Sequence, residues 1–105
     1  MSALNNEIIF DADFIRDVKR LPIAVQKKLS ELLEILKRDS FHPLLQSKPL
    51  GVPLKSFFSF RITRDYRVGF MVPTPHTVLL LAIDHRSKIY QRLRRKSSDP
   101  LDSKF

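Results

Sequence analysis

Three apolar segments in the second half of the chain are joined by connections too short to contain a further element. The segments span residues 57–62, 66–72 and 77–84, and only residues 63–65 and 73–76 lie between them. Their content of Phe, Val, Leu and Ile is typical of β-strands. Parallel neighbours need a crossover of about a dozen residues or more, so these connections predict antiparallel pairing. We therefore expect an antiparallel meander at the centre of the fold.

The first half of the chain has the apolar spacing of helices. A short opening strand is expected at residues 8–10, followed by a helix that Asp11 or Asp13 caps. Pro22 suits the first turn of a second helix, where the N–H that proline lacks has no partner in any case. Val25 and four leucines give that helix one apolar stripe. The expected fold class is α+β, with an N-terminal helical hairpin packed on one face of a small twisted antiparallel sheet.

The other segments are expected to be less regular. Residues 40–56 contain three prolines and one glycine, which predicts a loop with neither a persistent helix nor a strand. A loop of this length in so small a domain is generally functional or mobile. Residues 85–93 are expected to form a short terminal helix. We assign residues 1–93 to a single domain and residues 94–105 to a flexible, basic, polar tail.

Composition excludes several classes of site. The 105-residue chain has no cysteine, which rules out disulfides, a thiolate nucleophile and Cys-ligated metal centres. The longest apolar run, residues 78–83, is far shorter than the roughly 20 residues of a membrane-spanning helix. Residues 1–7 lack the pattern of a signal peptide, and no cluster of Asp and Glu indicates a magnesium site. We expect a cytoplasmic protein without membrane contact, metal or cofactor.

The positive charge is confined to the second half of the chain. Residues 1–47 contain seven basic and seven acidic side chains, whereas residues 48–105 contain twelve and four, which accounts for the net charge of +8. Such an excess attracts polyanions, either nucleic acid or an acidic protein. Solubility alone is the alternative explanation for a charge of this size. Several of the arginines fall within the predicted strands, which favours a binding role.

Two arginines are predicted to face each other across the meander. If residues 63–65 form the whole turn, Arg61 lies directly opposite Arg67, on the face that the apolar residues leave uncovered. Like charges in this arrangement are destabilising by about 0.2–1 kcal/mol. A phosphate bound between the two guanidinium groups would remove that cost. The alternative is that both side chains extend into solvent, with their stems packed on Phe57.

Further polar groups follow the last strand and suggest catalysis. RNA carries its own nucleophile, the 2′-hydroxyl, so an enzyme can cleave it without metal by removing that proton, stabilising the phosphorane and protonating the leaving oxygen. Arginines suit the charge stabilisation, and a histidine titrates near neutrality. A tyrosine can stack on a base or assist proton transfer. The candidate catalytic residues, which we expect to converge beside one face of the sheet, are Arg61, Arg67, His85, Arg86 and Tyr90.

Three segments of the sequence resemble the RelE/ParE family of bacterial toxin–antitoxin toxins. They are residues 54–62 (LKSFFSFRI), residues 65–68 (DYRV) and residues 84–90 (DHRSKIY), and the resemblance extends over about residues 7–93. The resemblance implies a microbial RNase-like fold and, in the RelE branch, cleavage of mRNA in the ribosomal A site. It also implies neutralisation by a small antitoxin, whose complex with the toxin represses their operon. Operator DNA would then be contacted only through the antitoxin.

The family's functional positions are only partly present. Arg61 and Arg67 match the basic residues that the family carries on the sheet, Arg86 matches its arginine after the last strand, and Tyr90 matches its terminal tyrosine. RelE proper has a lysine where this chain has Ser59, so its general base is not reproduced, and the resemblance offers His85 as a substitute. Other basic side chains are expected to bind RNA or the ribosome. They are Lys48, Lys55, Arg64, Lys88 and Arg92.

Three functions remain open from the sequence. The first is a metal-independent, ribosome-dependent mRNA endonuclease. The second is a toxin of the ParE branch that blocks DNA gyrase without cleaving RNA. The third is a degenerate member that acts only in antitoxin binding and operon repression. In each case the expected partner is an acidic amphipathic antitoxin segment, laid across the basic face or along the first helices.

Overall fold

The computed structural model describes residues 5–97, which form three helices and a five-stranded sheet of order β1-β5-β4-β3-β2. The α+β class is confirmed. None of the helices in this part of the chain is long and apolar enough to cross a bilayer. The elements are β1 (Glu7–Phe10), α1 (Ala12–Arg20), α2 (Ile23–Arg38), a 3-10 turn (Pro43–Leu45), β2 (Lys48–Pro49), β3 (Phe57–Arg61), β4 (Tyr66–Thr74), β5 (Thr77–His85) and α3 (Ile89–Ser97).

The predicted meander is confirmed, but the sheet around it is mixed. Strands β3, β4 and β5 pair antiparallel in chain order. Strand β1 lies parallel to β5, with Ile8 opposite Val78, so the expectation of a wholly antiparallel sheet is wrong. The reason is that β5 is buried and needs a partner for its outer backbone groups. Strand β1 satisfies the first half of that edge, and an Asp17 carboxylate oxygen accepts the Ile83 N–H at 2.9 Å in the second half.

The helical hairpin forms where the sequence indicated, with small differences at its ends. Asp11 caps α1, since its carboxylate accepts a hydrogen bond from the Asp13 N–H at 2.8 Å. Pro22 is the residue before α2 rather than part of its first turn. The apolar faces of both helices pack on one face of the sheet in the main core. The largest core side chains exposed by 2% or less include Phe14, Leu36, Phe60, Phe70 and Leu80.

The segment after α2 is more regular than expected. It contains the 3-10 turn and β2, which extends the sheet by pairing antiparallel with β3. The prediction of neither helix nor strand is therefore wrong for these residues. The 3-10 turn ends at Gln46 and a second bend lies at Gly51, with φ of 52° and 75°. Residues with positive φ reverse the chain direction, so a short turn and a short strand can form between the prolines. The number of prolines alone does not predict these short elements.

Helix α3 covers the middle of the second face of the sheet, so the expectation that this face is uncovered is wrong there. Its residues Ile89 and Leu93 pack with Leu54, Phe57 and Leu81 in a smaller core. The helix begins later than predicted and continues past residue 93 to Ser97, so its last turn belongs to the folded structure rather than to the expected tail. The remaining tail, residues 98–105, lies outside the described residues.

Candidate functional site

The register of β3 and β4 places the two arginines as predicted. Arg61 is the direct partner of Arg67 in the ladder. The Ile62 N–H donates to the Tyr66 carbonyl at 2.9 Å and closes the turn between the strands. Because side chains alternate along a strand, Ile62 and Tyr66 point to the main core, while the two arginines point to the second face.

The cover on the second face ends one residue pair before the arginines. Leu93 lies over Gly69, where a Cβ atom would come within 2.6 Å of both Leu93 methyl carbons. Ser59, which is paired with Gly69, is 3% exposed. The next pair on this face is Arg61 and Arg67, and both are half-buried. The second face is therefore covered at its centre and accessible at the end that carries the two guanidinium groups.

Both guanidinium groups are held by neutral oxygen atoms. Nη1 of Arg67 donates to the carbonyl oxygens of Thr63 and Arg64, each at 2.9 Å. Nη1 of Arg61 donates to Oε1 of Gln46 at 3.1 Å. Within residues 5–97, neither arginine forms a salt bridge with a carboxylate. Their orientation is thus fixed while their positive charge stays available to an anion.

The electrostatics of Arg67 show that a third arginine is close. Partial burial lowers the pKa of Arg67, and the positive charges of Arg61 and Arg86 lower it further, while Asp65 acts in the opposite direction. Arginine nevertheless stays protonated at any physiological pH. The backbone of Arg86 is tied to the same place, because its N–H donates to the Asp65 carbonyl at 2.7 Å. We call Arg61, Arg67 and Arg86 the arginine cluster.

His85 does not join the arginine cluster on the same face. It is the ladder partner of Tyr66, and the two rings meet edge to face with centroids 6.5 Å apart. Tyr66 packs against the main core, so His85 lies on the opposite side of the sheet from Arg67. The expectation that imidazole and guanidinium groups converge beside one face is wrong. Alternation along β5 carries this information, since His85 directly follows Asp84, the ladder partner of Arg67.

The other residues predicted for the functional site are either exposed to solvent or held in salt bridges. Tyr90 lies in the first turn of α3 and is 39% exposed. Arg92 instead contacts the carboxylates of Asp17 and Asp84 at 2.8 and 3.5 Å, which makes it a structural link between helices and sheet rather than a surface cation. Arg86 is exposed, and so are the other residues predicted to bind RNA or the ribosome: Lys48, Lys55, Arg64 and Lys88.

Sequence reasoning missed the ion-pair network that holds α3 in place. Besides the Arg92 contacts, Nζ of Lys96 lies 2.9 Å from Asp13 and 3.4 Å from Asp11. A hydrogen bond from Lys96 lowers the pKa of Asp13 against the opposing effect of burial. Burial lowers the pKa of Lys96, but its two carboxylate partners outweigh that effect and raise it. Within residues 5–97, no group of three or more His, Asp or Glu is arranged to hold a metal ion.

An apolar groove of ≈ 500 Å³ runs along the helical hairpin, far from the arginine cluster. Ile15, which is 46% exposed, lies in it. The polar residues that line the groove are Lys19, Gln26 and Ser30. Among the lining residues that the structure describes, Lys19 alone is charged. Its other lining residues are Phe10, Phe14, Val18, Leu29 and Leu33.

Comparison with known proteins gives consistent matches over most of the chain. Residues 8–90 match the family model described as ParE toxin of type II toxin–antitoxin system, parDE. Toxin RelG of Mycobacterium tuberculosis is 37% identical over 79 residues, which cover 73% of this chain and 86% of that protein.

Solved structures of similar proteins match in fold as well. The toxin–antitoxin complex RelBE2 from M. tuberculosis contains a chain with 31% identity and a TM-score of 0.64, and the match covers 78% of this chain and 99% of that one. The YoeB/ParE toxin from Agrobacterium tumefaciens has a TM-score of 0.66 at 18% identity, covering 76% and 98%. The archaeal RelE–RelB complex from Pyrococcus horikoshii has a TM-score of 0.65 at 18% identity, covering 79% and 97%. At such low identity the latter two matches concern the fold alone.

Proposed function

The chain belongs to the RelE/ParE family of toxins from type II toxin–antitoxin systems, and we propose that it cleaves messenger RNA in the A site of the 70S ribosome. The observation that carries this proposal is the pairing of Arg61 with Arg67 at the uncovered end of the sheet. Two neighbouring guanidinium groups without carboxylate partners match the charge and geometry of a phosphodiester. Arg86 adds a third positive charge beside them.

The proposed reaction uses the RNA as its own nucleophile. The 2′-oxygen loses its proton and forms a bond to the adjacent phosphorus. The bond to the 5′-oxygen breaks, and that oxygen receives a proton, so the products end in a 2′,3′-cyclic phosphate and a 5′-hydroxyl. The arginine cluster stabilises the charge that develops on the phosphorane, with neither a metal ion nor a cofactor. Tyr90 stacks on a base or takes part in proton transfer.

The lysine of RelE proper has no functional replacement at Ser59. That side chain is 3% exposed under α3, so it lies away from a substrate bound at the arginine cluster. The main catalytic contributions of this chain are therefore charge stabilisation and substrate orientation, and not a strong general base. The ribosome supplies the context in which the mRNA is held for cleavage.

A translating bacterial extract tests this function directly. Purified protein is added, and primer extension on a translated message maps the cleavage positions. We expect cuts within codons that occupy the A site, and none in the same message without ribosomes. Intact mRNA at doses that stop protein synthesis would contradict the proposal.

Docking on the ribosome is proposed to use the exposed basic residues around the cluster, Lys48, Lys55, Arg64 and Lys88. Contacts of this kind release counterions, so affinity should fall steeply with salt. Equal affinity at 50 and 200 mM salt would contradict docking through this surface. Since ribosomes are its proposed target, we place the protein in the cytoplasm.

The proposed partner is an acidic antitoxin whose amphipathic segment binds the groove of the helical hairpin. RelBE2 and the archaeal RelE–RelB structure are toxin–antitoxin complexes. The groove in this chain offers an apolar lining with Lys19 beside it, which suits an apolar stripe flanked by carboxylates. The antitoxin, and not this chain, is proposed to contact operator DNA.

A gyrase-blocking toxin is the second candidate, and the description of the matching family model as ParE favours it. Such a toxin needs a binding surface rather than a phosphate-binding cluster. Inhibition of DNA supercoiling with mRNA left intact would establish this function instead of the first. Unimpaired growth on expression without antitoxin would indicate a member that acts only in antitoxin binding and repression.

A further inference from the structure

The imidazole of His85 is held in one orientation by the turn between β5 and α3. Its Nδ1 accepts a hydrogen bond from the Ser87 backbone N–H at 3.1 Å and lies 2.8 Å from the Ser87 hydroxyl. Its Nε2 lies 3.9 Å from Oδ1 of Asp65. Nδ1 is therefore hydrogen-bonded to the protein's own chain, whereas Nε2 lies near a carboxylate at a distance too long for a hydrogen bond.

These contacts select one tautomer. A nitrogen that accepts from a backbone N–H must present its lone pair, so the proton of the neutral ring is on Nε2. The lone pair of Nδ1 faces the backbone, and Nε2 already carries a proton. In this state neither nitrogen is available to take a proton from a 2′-hydroxyl. The position of the ring beside Tyr66, across the sheet from Arg67, leads to the same conclusion.

The turn that His85 caps is the one that carries Arg86. The Lys88 N–H donates to the His85 carbonyl at 2.8 Å, and the Arg86 N–H donates to the Asp65 carbonyl at 2.7 Å. The ring and the backbone together fix where the Arg86 side chain leaves the sheet. A histidine that accepts from the N–H two residues later imitates the local turns that Asn and Asp form.

A second histidine in the chain forms the same type of side-chain cap. His42 precedes the 3-10 turn, and its Nδ1 accepts from the Leu44 N–H at 3.1 Å. His42 lies after the end of α2, and the turn that it caps ends at Gln46, whose side chain accepts from Arg61. It therefore provides a matched control for the amide exchange at Ser87, and not for cleavage.

We propose that His85 is a positioning residue that caps the β5–α3 turn and holds Arg86 in the arginine cluster, and that it does not transfer protons in the reaction. The part of this inference that concerns cleavage rests on the proposed nuclease function. The cap itself is a property of the folded chain and is measurable without substrate.

Two substitutions separate the cap from proton transfer. In His85→Asn, the amide oxygen takes the place of Nδ1 and restores the turn, whereas in His85→Gln the amide extends toward the place of Nε2 and leaves the Ser87 N–H unpaired. We expect His85→Asn to retain cleavage to within about threefold, and His85→Gln and His85→Ala to lose about tenfold, because loss of a cap has effects of this size. The pH–rate profile of His85→Asn should match that of the wild type. The groups that face the ring, Asp65 and Tyr66, are unchanged in all three variants.

Amide hydrogen exchange at Ser87 and the ring nitrogen signals of His85 give a readout that needs no activity. We expect a protected Ser87 amide in the wild type and His85→Asn, faster exchange in His85→Gln, and an Nε2-protonated neutral ring. The pair His42→Asn and His42→Gln should alter exchange at Leu44 and leave the Ser87 amide protected.

The inference is overturned if His85→Gln retains cleavage better than His85→Asn, if all three variants lose activity equally, or if all three match the wild type. It is also overturned if His85→Asn removes a limb of the pH–rate profile, or if Nδ1 carries the proton of the neutral ring. If the wild-type protein leaves translated mRNA intact, the proposed function fails. The Ser87 exchange and the ring tautomer then still decide whether His85 is a cap.

Discussion

The two faces of the sheet are covered to different extents. On the first face, α1 and the sixteen-residue α2 bury a core that runs the length of the meander. On the second face, the nine-residue α3 covers only the middle. Consecutive residues show the result, since Ile62 on the first face is 3% exposed, whereas Arg61 on the second is half-buried beside Arg67.

The difference separates the part of the sheet that confers stability from the part available for binding. An apolar face closed by two helices has no room for a ligand, and its residues are replaceable only by others of similar volume. Where α3 ends, the same strands present two like charges, and neither forms a salt bridge within residues 5–97, because Asp84, the β5 partner of Arg67, contacts Arg92 instead. That arrangement is unfavourable in the free protein and becomes favourable once a phosphate binds.

The double substitution Arg61→Ala with Arg67→Ala should abolish cleavage of translated mRNA. Removing one preorganised charge-stabilising donor costs about 10²- to 10³-fold in rate, so the pair should exceed that range. Primer extension in the translating extract measures it. The double substitution Arg20→Ala with Arg38→Ala makes the same chemical change at exposed sites in the last turns of α1 and α2 and should leave cleavage intact. Equal losses in both variants would mean that net charge, and not the arginine cluster, determines activity.

A charge in the groove of the helical hairpin should weaken antitoxin binding without affecting cleavage. Ile15→Asp introduces a carboxylate at an exposed groove position, where it repels an acidic partner and removes apolar contact. We expect a loss of about 2 kcal/mol or more in binding free energy, measured by calorimetry with the co-encoded antitoxin. Ile23→Asp, at a residue that is 77% exposed outside the groove lining, is the control. Undiminished binding of Ile15→Asp would place the antitoxin elsewhere.

Gly69→Ala should loosen the cover on the second face. The added Cβ would meet Leu93 at 2.6 Å, so either that side chain or the whole of α3 must shift. We expect a loss of about 1–3 kcal/mol in the free energy of unfolding, measured with denaturant. The double variant Gly69→Ala with Leu93→Ala should show strong coupling between the two sites, because the smaller side chain relieves the contact. Strictly additive losses would show that Leu93 does not pack on Gly69.

Lys96→Ala should give the smallest effect, with a distinct pH dependence. It removes the partner of Asp13, and partly exposed ion pairs contribute about 0.2–1 kcal/mol. Because the pKa of Asp13 is lowered in the folded state, its stabilisation is present above the unfolded value and is lost as the pH falls through the folded one. The difference between wild type and variant should therefore be full at pH 7, begin to fall only near about pH 4, and vanish once the pH is below the lowered pKa of Asp13. A difference that persists unchanged into acid would contradict the assignment.

Local sequence patterns predicted the meander and the arginine pair well. The turn at residues 63–65 leaves one way to align β3 with β4, and alternation then determines which side chains share a face. The same reasoning identified the two long helices from their apolar spacing. These features depend on residues that are close in sequence, so the local pattern of apolar and polar residues is nearly sufficient to predict them.

The features that sequence reasoning missed depend on contacts between distant segments. Nothing local shows that β1 pairs with β5, or that Arg92 reaches Asp17. A signal for the position of α3 on the second face was nevertheless present, since a glycine inside a predicted strand often marks a close approach, and Gly69 is approached by Leu93. The placement of His85 also followed from alternation, because it directly follows Asp84, the ladder partner of Arg67.

The most direct test of the central claim is to observe the arginine side chains while they bind a phosphodiester. A short RNA with 2′-deoxyribose at the cleavage position, which cannot react, is titrated in low salt against protein with ¹⁵N-labelled arginine. We predict that the Nε–H signals of Arg61 and Arg67 shift together, at concentrations that leave Arg38 unchanged. Shifts of the same size at Arg38, or none at the arginine pair, would contradict the account.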